Sequence, residues 1–202
     1  MVYSVKENRL QLNGSDVDFV DTPNMSGQVK PLYLVLHYTA GMTADGAISW
    51  FKNRTAQASA HFVVDRDGSV TQMVPLDRIA WHAGRSSWQG VESLNAYSIG
   101  IEIVNAGKLS RTEKGDWMNW ADNVVPVGEV TVLTHKHETH PSGWHLYTKA
   151  QLESVSEIGL ALNERFKFLD VLGHEDISPG RKIDPGPAFP MISVSSKMMG
   201  RR

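Results

Sequence analysis

The chain contains no cysteine. No disulfide can form, and no thiolate is available to hold a metal or attack a substrate. Any metal must be held by His, Asp or Glu. A cysteine-free protein tolerates oxidising and reducing surroundings alike, so the compartment stays open. Net charge is also scarce: 20 Lys and Arg against 22 Asp and Glu leave a formal charge of -2. That balance exerts no bulk attraction on nucleic acid or on an acidic membrane surface, and no nucleic-acid partner is expected. No apolar run approaches the roughly 18 residues that mark a membrane span. The N-terminus, MVYSVKENRLQLNGSDVDF, lacks a basic start followed by an apolar stretch, so it does not read as a secretory signal. The expectation is synthesis in the cytoplasm, with retention there or export by a non-classical route or lysis both open.

What is present suits a globular domain. The 202 residues are 41% hydrophobic and 21% charged, ordinary values for a water-exposed fold. A chain of this size removes roughly 70% of its unfolded surface on folding, enough for a sizeable core. There is no internal repeat and no low-complexity tract, and oligomeric state has no signature here.

The order of patterns is informative. Residues 1–29 are polar and mixed, with Gly14, Pro23 and Gly27 as turn signals, and read as an irregular arm. PLYLVLH, 31–37, is a short apolar run suited to a strand buried on both faces. A helix follows over 43–53 with Thr43 as its cap. AHFVVD and SVTQMV, joined by Asp67-Gly68, form a predicted hairpin. YSIGIEIV, 97–104, is a second buried strand. Residues 107–128, rich in charge, tryptophan and turn residues, read as a long loop. Leu152, Val155, Ile158, Leu160 and Leu162 fall at helical spacing behind Thr148 and Gln151, a capping-box pair. A short strand over 167–173 follows, and little regular structure is expected beyond it. The sum is an α/β chain: an N-terminal arm (1–29), one domain (30–190) with a central mixed sheet flanked by helices, and a C-terminal tail (191–202).

The chemistry-bearing segment is GHEDISPGRKIDPG, 173–186. His174 sits just after a predicted strand, and Asp184 lies in a Pro/Gly-rich turn that can fold back beside it. His37 ends the first buried strand. Two histidines and a carboxylate make a reasonable zinc shell with one position left for water. Glu175 and Asp176 compete with Asp184 for the third place. Taken singly, a histidine at a strand end is more often a hydrogen-bonded structural residue than a ligand.

Five segments in order change that balance: LVLHYTA (34–40), AHFVVDRDGSV (60–70), WHAG (81–84), SIGIEI (98–103) and GHEDISPGRKIDPG. Together they resemble the amidase-2 family of N-acetylmuramoyl-L-alanine amidases, related to peptidoglycan recognition proteins and phage amidase lysins. The resemblance spans about residues 30–190. It implies Zn2+ in a groove at one sheet edge, held by His37, His174 and Asp184, with Glu102 acting on the attacking water and Lys182 steadying the oxyanion. It also puts His61, Trp81 and His82 along the substrate groove, with His61 where the lysin and recognition branches often hold tyrosine. The implied reaction is hydrolysis of the lactyl–L-alanine amide, in peptidoglycan or in a muropeptide. The competing reading is a recognition module of the same fold that binds peptidoglycan without cutting it; such modules typically lose a zinc ligand, and all three matches are present here.

The residues themselves also admit plainer readings. Glu102 alternates with Ile101 and Ile103, so it faces away from them, and an exposed sheet face would explain it as well as catalysis. Arg181-Lys182 reads first as a solvated pair. His135, His137, His140 and His145 look, in isolation, like a second metal site, but loop histidines or contacts at a substrate rim fit better. Trp88, Trp117, Trp120 and Trp144 fall in predicted loops, where indoles either stack on sugars or cap the core.

Overall fold

The computed structural model describes residues 2–201. Its centre is a six-stranded mixed sheet in the order 170–173, 33–38, 98–103, 62–64, 70–72, 18–19. The three strands Asp170–Gly173, Tyr33–Tyr38 and Ser98–Ile103 run parallel, and Phe62–Val64 joins them parallel to Ser98–Ile103. Val70–Gln72 returns antiparallel to Phe62–Val64 through the Asp67-Gly68 turn. The apolar runs become central strands because both faces are covered. Every residue from Tyr33 to His37 is buried.

The two faces differ in kind. Leu34, Leu36, Phe62, Ile99, Ile101 and Ile103 pack on Val155, Ile158 and Leu162 of helix α2 (Lys149–Phe166). The opposite face carries Tyr33, Val35, Leu172, Ala83 and Leu94 in one cluster, and Val63 with Phe51 in another. Phe51 comes from helix α1 (Ala44–Lys52), whose first turn is closed by the Thr43 hydroxyl accepting from the Gly46 amide. A cap of this kind contributes about 1 kcal/mol. In α2 the Thr148 side chain accepts from the Gln151 amide, and the Gln151 side chain accepts from the Thr148 amide, as the spacing predicts. No helix of the described residues is long and apolar enough to cross a membrane.

Three expectations are corrected. The arm is not irregular: Tyr3–Lys6, Arg9–Leu12 and Ser15–Asp16 form an antiparallel meander, and Asp18–Phe19 extends the central sheet. Leu10 is wholly buried, and its amide donates to Gln72 Oε1 at 2.9 Å. Short strands split by turns do not sustain a period long enough to read. The 107–128 loop is ordered as well. Lys108–Arg111, Trp117–Met118 and Val124–Val125 join Val130–Thr134 and Pro141–His145 in a five-stranded antiparallel sheet. Its core is small, built on Ala106, Leu109 and Val125. Finally, the segment beyond His174 is not bare of structure. A single helical turn, α3 (His174–Ile177), follows the last strand, and the expected tail is helix α4 (Met191–Met198), packed on α2. A Cβ on Gly159 would lie 2.4 Å from Met198, so the small residue permits that close helix approach.

Candidate functional site

Parallel register builds the site. Glu102 is the register partner of His37, and Gly173 is the partner of Leu36. His174, one residue on, therefore falls level with His37 at the carboxyl ends of three adjacent strands. That is where ligands bind in open α/β sheets. The loop after α3 brings Asp184 back across them, tied by the Glu175 amide donating to the Asp184 carbonyl at 2.9 Å. The Tyr147 hydroxyl donates to the next carbonyl, that of Pro185, at 2.7 Å.

His37, His174 and Asp184 form the one such cluster of potential metal donors among the described residues, and all three are buried. His37 Nδ1 lies 2.9 Å from His174 Nδ1, and Asp184 Oδ2 lies 3.0 Å from each nitrogen. The outward ring nitrogens set the chemistry of the inward ones. His174 Nε2 is 3.0 Å from the Ala83 carbonyl, which can only accept, so that nitrogen carries the proton. For His37 the same logic runs through two more residues. Ser98 donates its hydroxyl to the Leu94 carbonyl at 2.6 Å and accepts from His82 Nε2 at 3.2 Å. His82 Nδ1 is then an acceptor, and it takes the His37 Nε2 proton at 2.9 Å. Both inward Nδ1 atoms thus present lone pairs, facing each other and a carboxylate oxygen. A cation between them would relieve that repulsion, and neutral imidazoles with a carboxylate suit zinc.

Electrostatics agree with this reading. Burial, helped by the nearby His174, pushes the His37 pKa down to about 4 against the pull of Asp184, so the ring is neutral near pH 7. Burial works against the Asp184 charge, but hydrogen bonds from His174 and His37 outweigh it and hold the carboxyl well below its usual range. Glu102 behaves oppositely. Burial first, and then the Asp184 charge, raise its pKa well above the ordinary carboxyl value, while Lys182 opposes them. Its Oε2 is enclosed without a hydrogen-bond partner.

A groove of about 720 Å³ opens over these groups, lined among others by Glu102, His174, Lys182 and Asp184. Lys182 has no ion pair among the described residues and faces this space. Its neighbour Arg181 is spent on the backbone, donating to the Ala83 and Arg85 carbonyls, each at 2.8 Å. Both residues line the groove, but the Arg181 side chain is held by backbone carbonyls while the Lys182 side chain has no such partner among the described residues.

The residues expected along the groove do not all reach it. His61 is wholly buried, with Nε2 3.0 Å from the Arg78 carbonyl and Nδ1 accepting from the Gly100 amide at 3.1 Å. Both ring nitrogens are used by backbone, and burial lowers its pKa to about 4. Trp81 turns its indole N–H to Ser26 Oγ at 3.1 Å and does not line the groove. His82 touches the groove floor, but its main contact is His37. The sequence signal for that contact was Gly100. It shares a strand face with Glu102, and a Cβ there would lie 2.5 Å from the His82 ring.

The histidine cluster separates into structural roles. His135 Nε2 lies 2.6 Å from Glu175 Oε2 and stacks on Trp144. His145 Nδ1 accepts from the Ala106 amide, and its Nε2 contacts Glu129. His137 and His140 are exposed. Glu175 and Asp176 do not join the metal donors: Glu175 pairs with His135 and Lys136, while Asp176 accepts from the Gly173 amide at 2.7 Å.

Comparison with known proteins fits this geometry. The AmpD 1,6-anhydro-N-acetylmuramyl-L-alanine amidase of Escherichia coli K12 is 33% identical over 135 residues, 66% of this chain and 54% of that protein. The N-acetylmuramoyl-L-alanine amidase AmiD of the same strain is 29% identical over 176 residues, 83% of this chain and 53% of its own length. The chain thus spans about half the length of the curated relatives it matches. The crystal structure of a selenomethionine AmpD derivative superposes with a TM-score of 0.67 at 25% identity, covering 96% of this chain and 98% of that one. The E. coli AmiD complex with anhydro-N-acetylmuramic acid-L-Ala-D-gamma-Glu-L-Lys gives 0.61 at 25% identity, covering 96% and 65%. Residues 27–187 match the amidase-2 family, described as N-acetylmuramoyl-L-alanine amidase, and the chain belongs to that family.

Proposed function

We propose that this protein is a zinc-dependent amidase that hydrolyses the lactyl–L-alanine amide of peptidoglycan or of a muropeptide. The observation that carries the reading is the convergence of three metal donors, His37, His174 and Asp184, beside a groove that His174 and Asp184 line together with Glu102, whose Oε2 has no partner, and Lys182. The activities named for AmpD and AmiD, and the muropeptide bound to AmiD, point to the same bond.

His37 and His174 would hold the ion through Nδ1 and Asp184 through Oδ2. Zinc there supplies Lewis acidity, polarising a carbonyl and making water nucleophilic near neutral pH. The protein does the rest. Glu102 would take a proton from the attacking water through Oε2 and hand it to the leaving nitrogen of L-alanine. Lys182 places a positive charge where the carbonyl oxygen becomes negative.

The test is digestion of purified peptidoglycan and of an anhydro-muropeptide, with and without chelator, read by mass spectrometry. Released stem peptides that begin at L-alanine, lost on chelation and restored by zinc, are expected. Wall binding with both substrates left intact by zinc-loaded protein would replace the amidase with a recognition module.

A further inference from the structure

The donor cluster occupies only the floor of the groove. Its rim carries two features that the chemistry at the floor does not use. Trp50 is 56% exposed and Trp120 is 78% exposed, and both line the same space as Glu102 and His174. Large apolar surface left in water is unfavourable, and a pair of indoles over one groove marks a contact site.

Both indoles are mounted on ordered elements. Trp50 belongs to α1 and precedes Phe51, which is anchored in the core at 6% exposure. Trp120 sits at the turn between Trp117–Met118 and Val124–Val125. Asn119 builds that turn, its side-chain oxygen accepting from the amides of Ala121 and Asn123 at 3.0 and 2.9 Å. The Trp120 indole N–H donates to the Ala40 carbonyl at 2.8 Å, three residues beyond His37. The indole is thus tethered by its one polar edge, while its apolar faces stay largely in solvent. This is how a stacking platform is held: the direction is set and no face is used up.

The two indoles line one groove with the residues beside the donors, so a substrate whose scissile bond lies over the donors passes along them. A pyranose carries hydroxyls around its edge and C–H groups on its faces, and those faces match an indole. We propose that Trp50 and Trp120 form a saccharide subsite that stacks a pyranose ring of the glycan. This assignment rests on the amidase reading for its choice of a glycan.

The experiment uses a probe with no amide to cut between sugar and peptide. Binding of the N-acetylglucosamine tetramer to the full zinc-loaded chain is measured by calorimetry for the wild type, Trp50→Ala, Trp120→Ala and Val127→Ala. Val127 is 80% exposed and lies outside the groove on the same side of the chain as the Trp120 turn in sequence, so it controls for disturbance of that sheet. Saturable binding by the wild type is expected, weakened up to about tenfold by each tryptophan variant and unchanged in Val127→Ala. No saturable binding at millimolar tetramer, tryptophan variants that bind like wild type, or an equal loss in Val127→Ala would each overturn the subsite. Tetramer binding by a protein that cuts no muropeptide would instead sink the amidase reading and leave the subsite standing.

Discussion

His37 and His82 meet through a single hydrogen bond, His37 Nε2 to His82 Nδ1 at 2.9 Å, and its direction is set two residues away by Ser98. Because Ser98 gives its proton to the Leu94 carbonyl, His82 must donate to Ser98 and accept from His37. The Nδ1 of His37 is thereby left with its lone pair turned towards His174 and Asp184.

His82→Ala is expected to weaken zinc binding by about 10- to 100-fold, the usual cost of losing a partner that orients a ligand. Ser98→Ala removes only the end of the relay and should cost less. Competition against a chromophoric chelator gives both constants. Affinities equal to wild type in His82→Ala would show that His37 needs no such orientation.

The proposed ligand and the proposed proton carrier separate by variant. His174→Ala should lose zinc together with turnover. Glu102→Gln should keep zinc and fold but lose about 10²- to 10⁴-fold in kcat, the range general acid–base groups contribute. Native mass spectrometry counts the metal in each. A zinc-loaded Glu102→Gln with near-normal turnover would make Glu102 structural.

Glu102 also sets a pH dependence of stability in the metal-free protein. Its pKa is raised in the fold, chiefly by burial, so the folded state holds the proton more tightly than the unfolded chain. Below the unfolded pKa both states are protonated and there is no penalty. Above it the unfolded carboxyl ionises first, and folding loses at most about 1.4 kcal/mol per pH unit until the folded pKa is reached. Glu102→Gln has no such loss. Its melting temperature should gain on that of wild type as the pH rises above the unfolded carboxyl range, and a difference independent of pH would contradict the assignment.

Gly100→Ala tests the space beneath the relay. The added Cβ would lie 2.5 Å from the His82 ring, so either the ring or the strand must shift. Overpacking of this kind costs about 1–3 kcal/mol, and zinc affinity should fall with it. Denaturant unfolding and the chelator assay report the two effects. An unperturbed variant would mean that His82 moves freely.

Much of this fold was legible in local patterns. LVLH and SIGIEI read as buried strands because parallel strands covered on both faces are continuously apolar. Thr43 and the Thr148–Gln151 pair marked helix starts because capping depends on residues three apart. The antiparallel sheet over 108–145 was not legible, since two of its strands have two residues and the other three only four or five, too short between turns to carry a clear period. Helix α4 escaped for a related reason: eight residues after a Gly/Pro-rich stretch are held by packing on α2 more than by their own pattern.

The sequence by itself determined the inventory of the site: no thiolate, two histidines at strand ends, a carboxylate in a Pro/Gly turn and a glutamate among isoleucines. Those are local facts, set by composition and by the position of each residue in its strand. Only the tertiary structure decided which groups meet. Parallel register put Glu102 and His174 level with His37. The antiparallel pairing of Met25–Gln28 with Arg78–Ala80 brought Trp81 to Ser26, and the packing of strands and loops put both His61 nitrogens on backbone, tied Arg181 to carbonyls and gave His82 to His37. Such choices depend on hydrogen bonds between residues 16 to 147 positions apart, whose directions follow from the placement of whole strands.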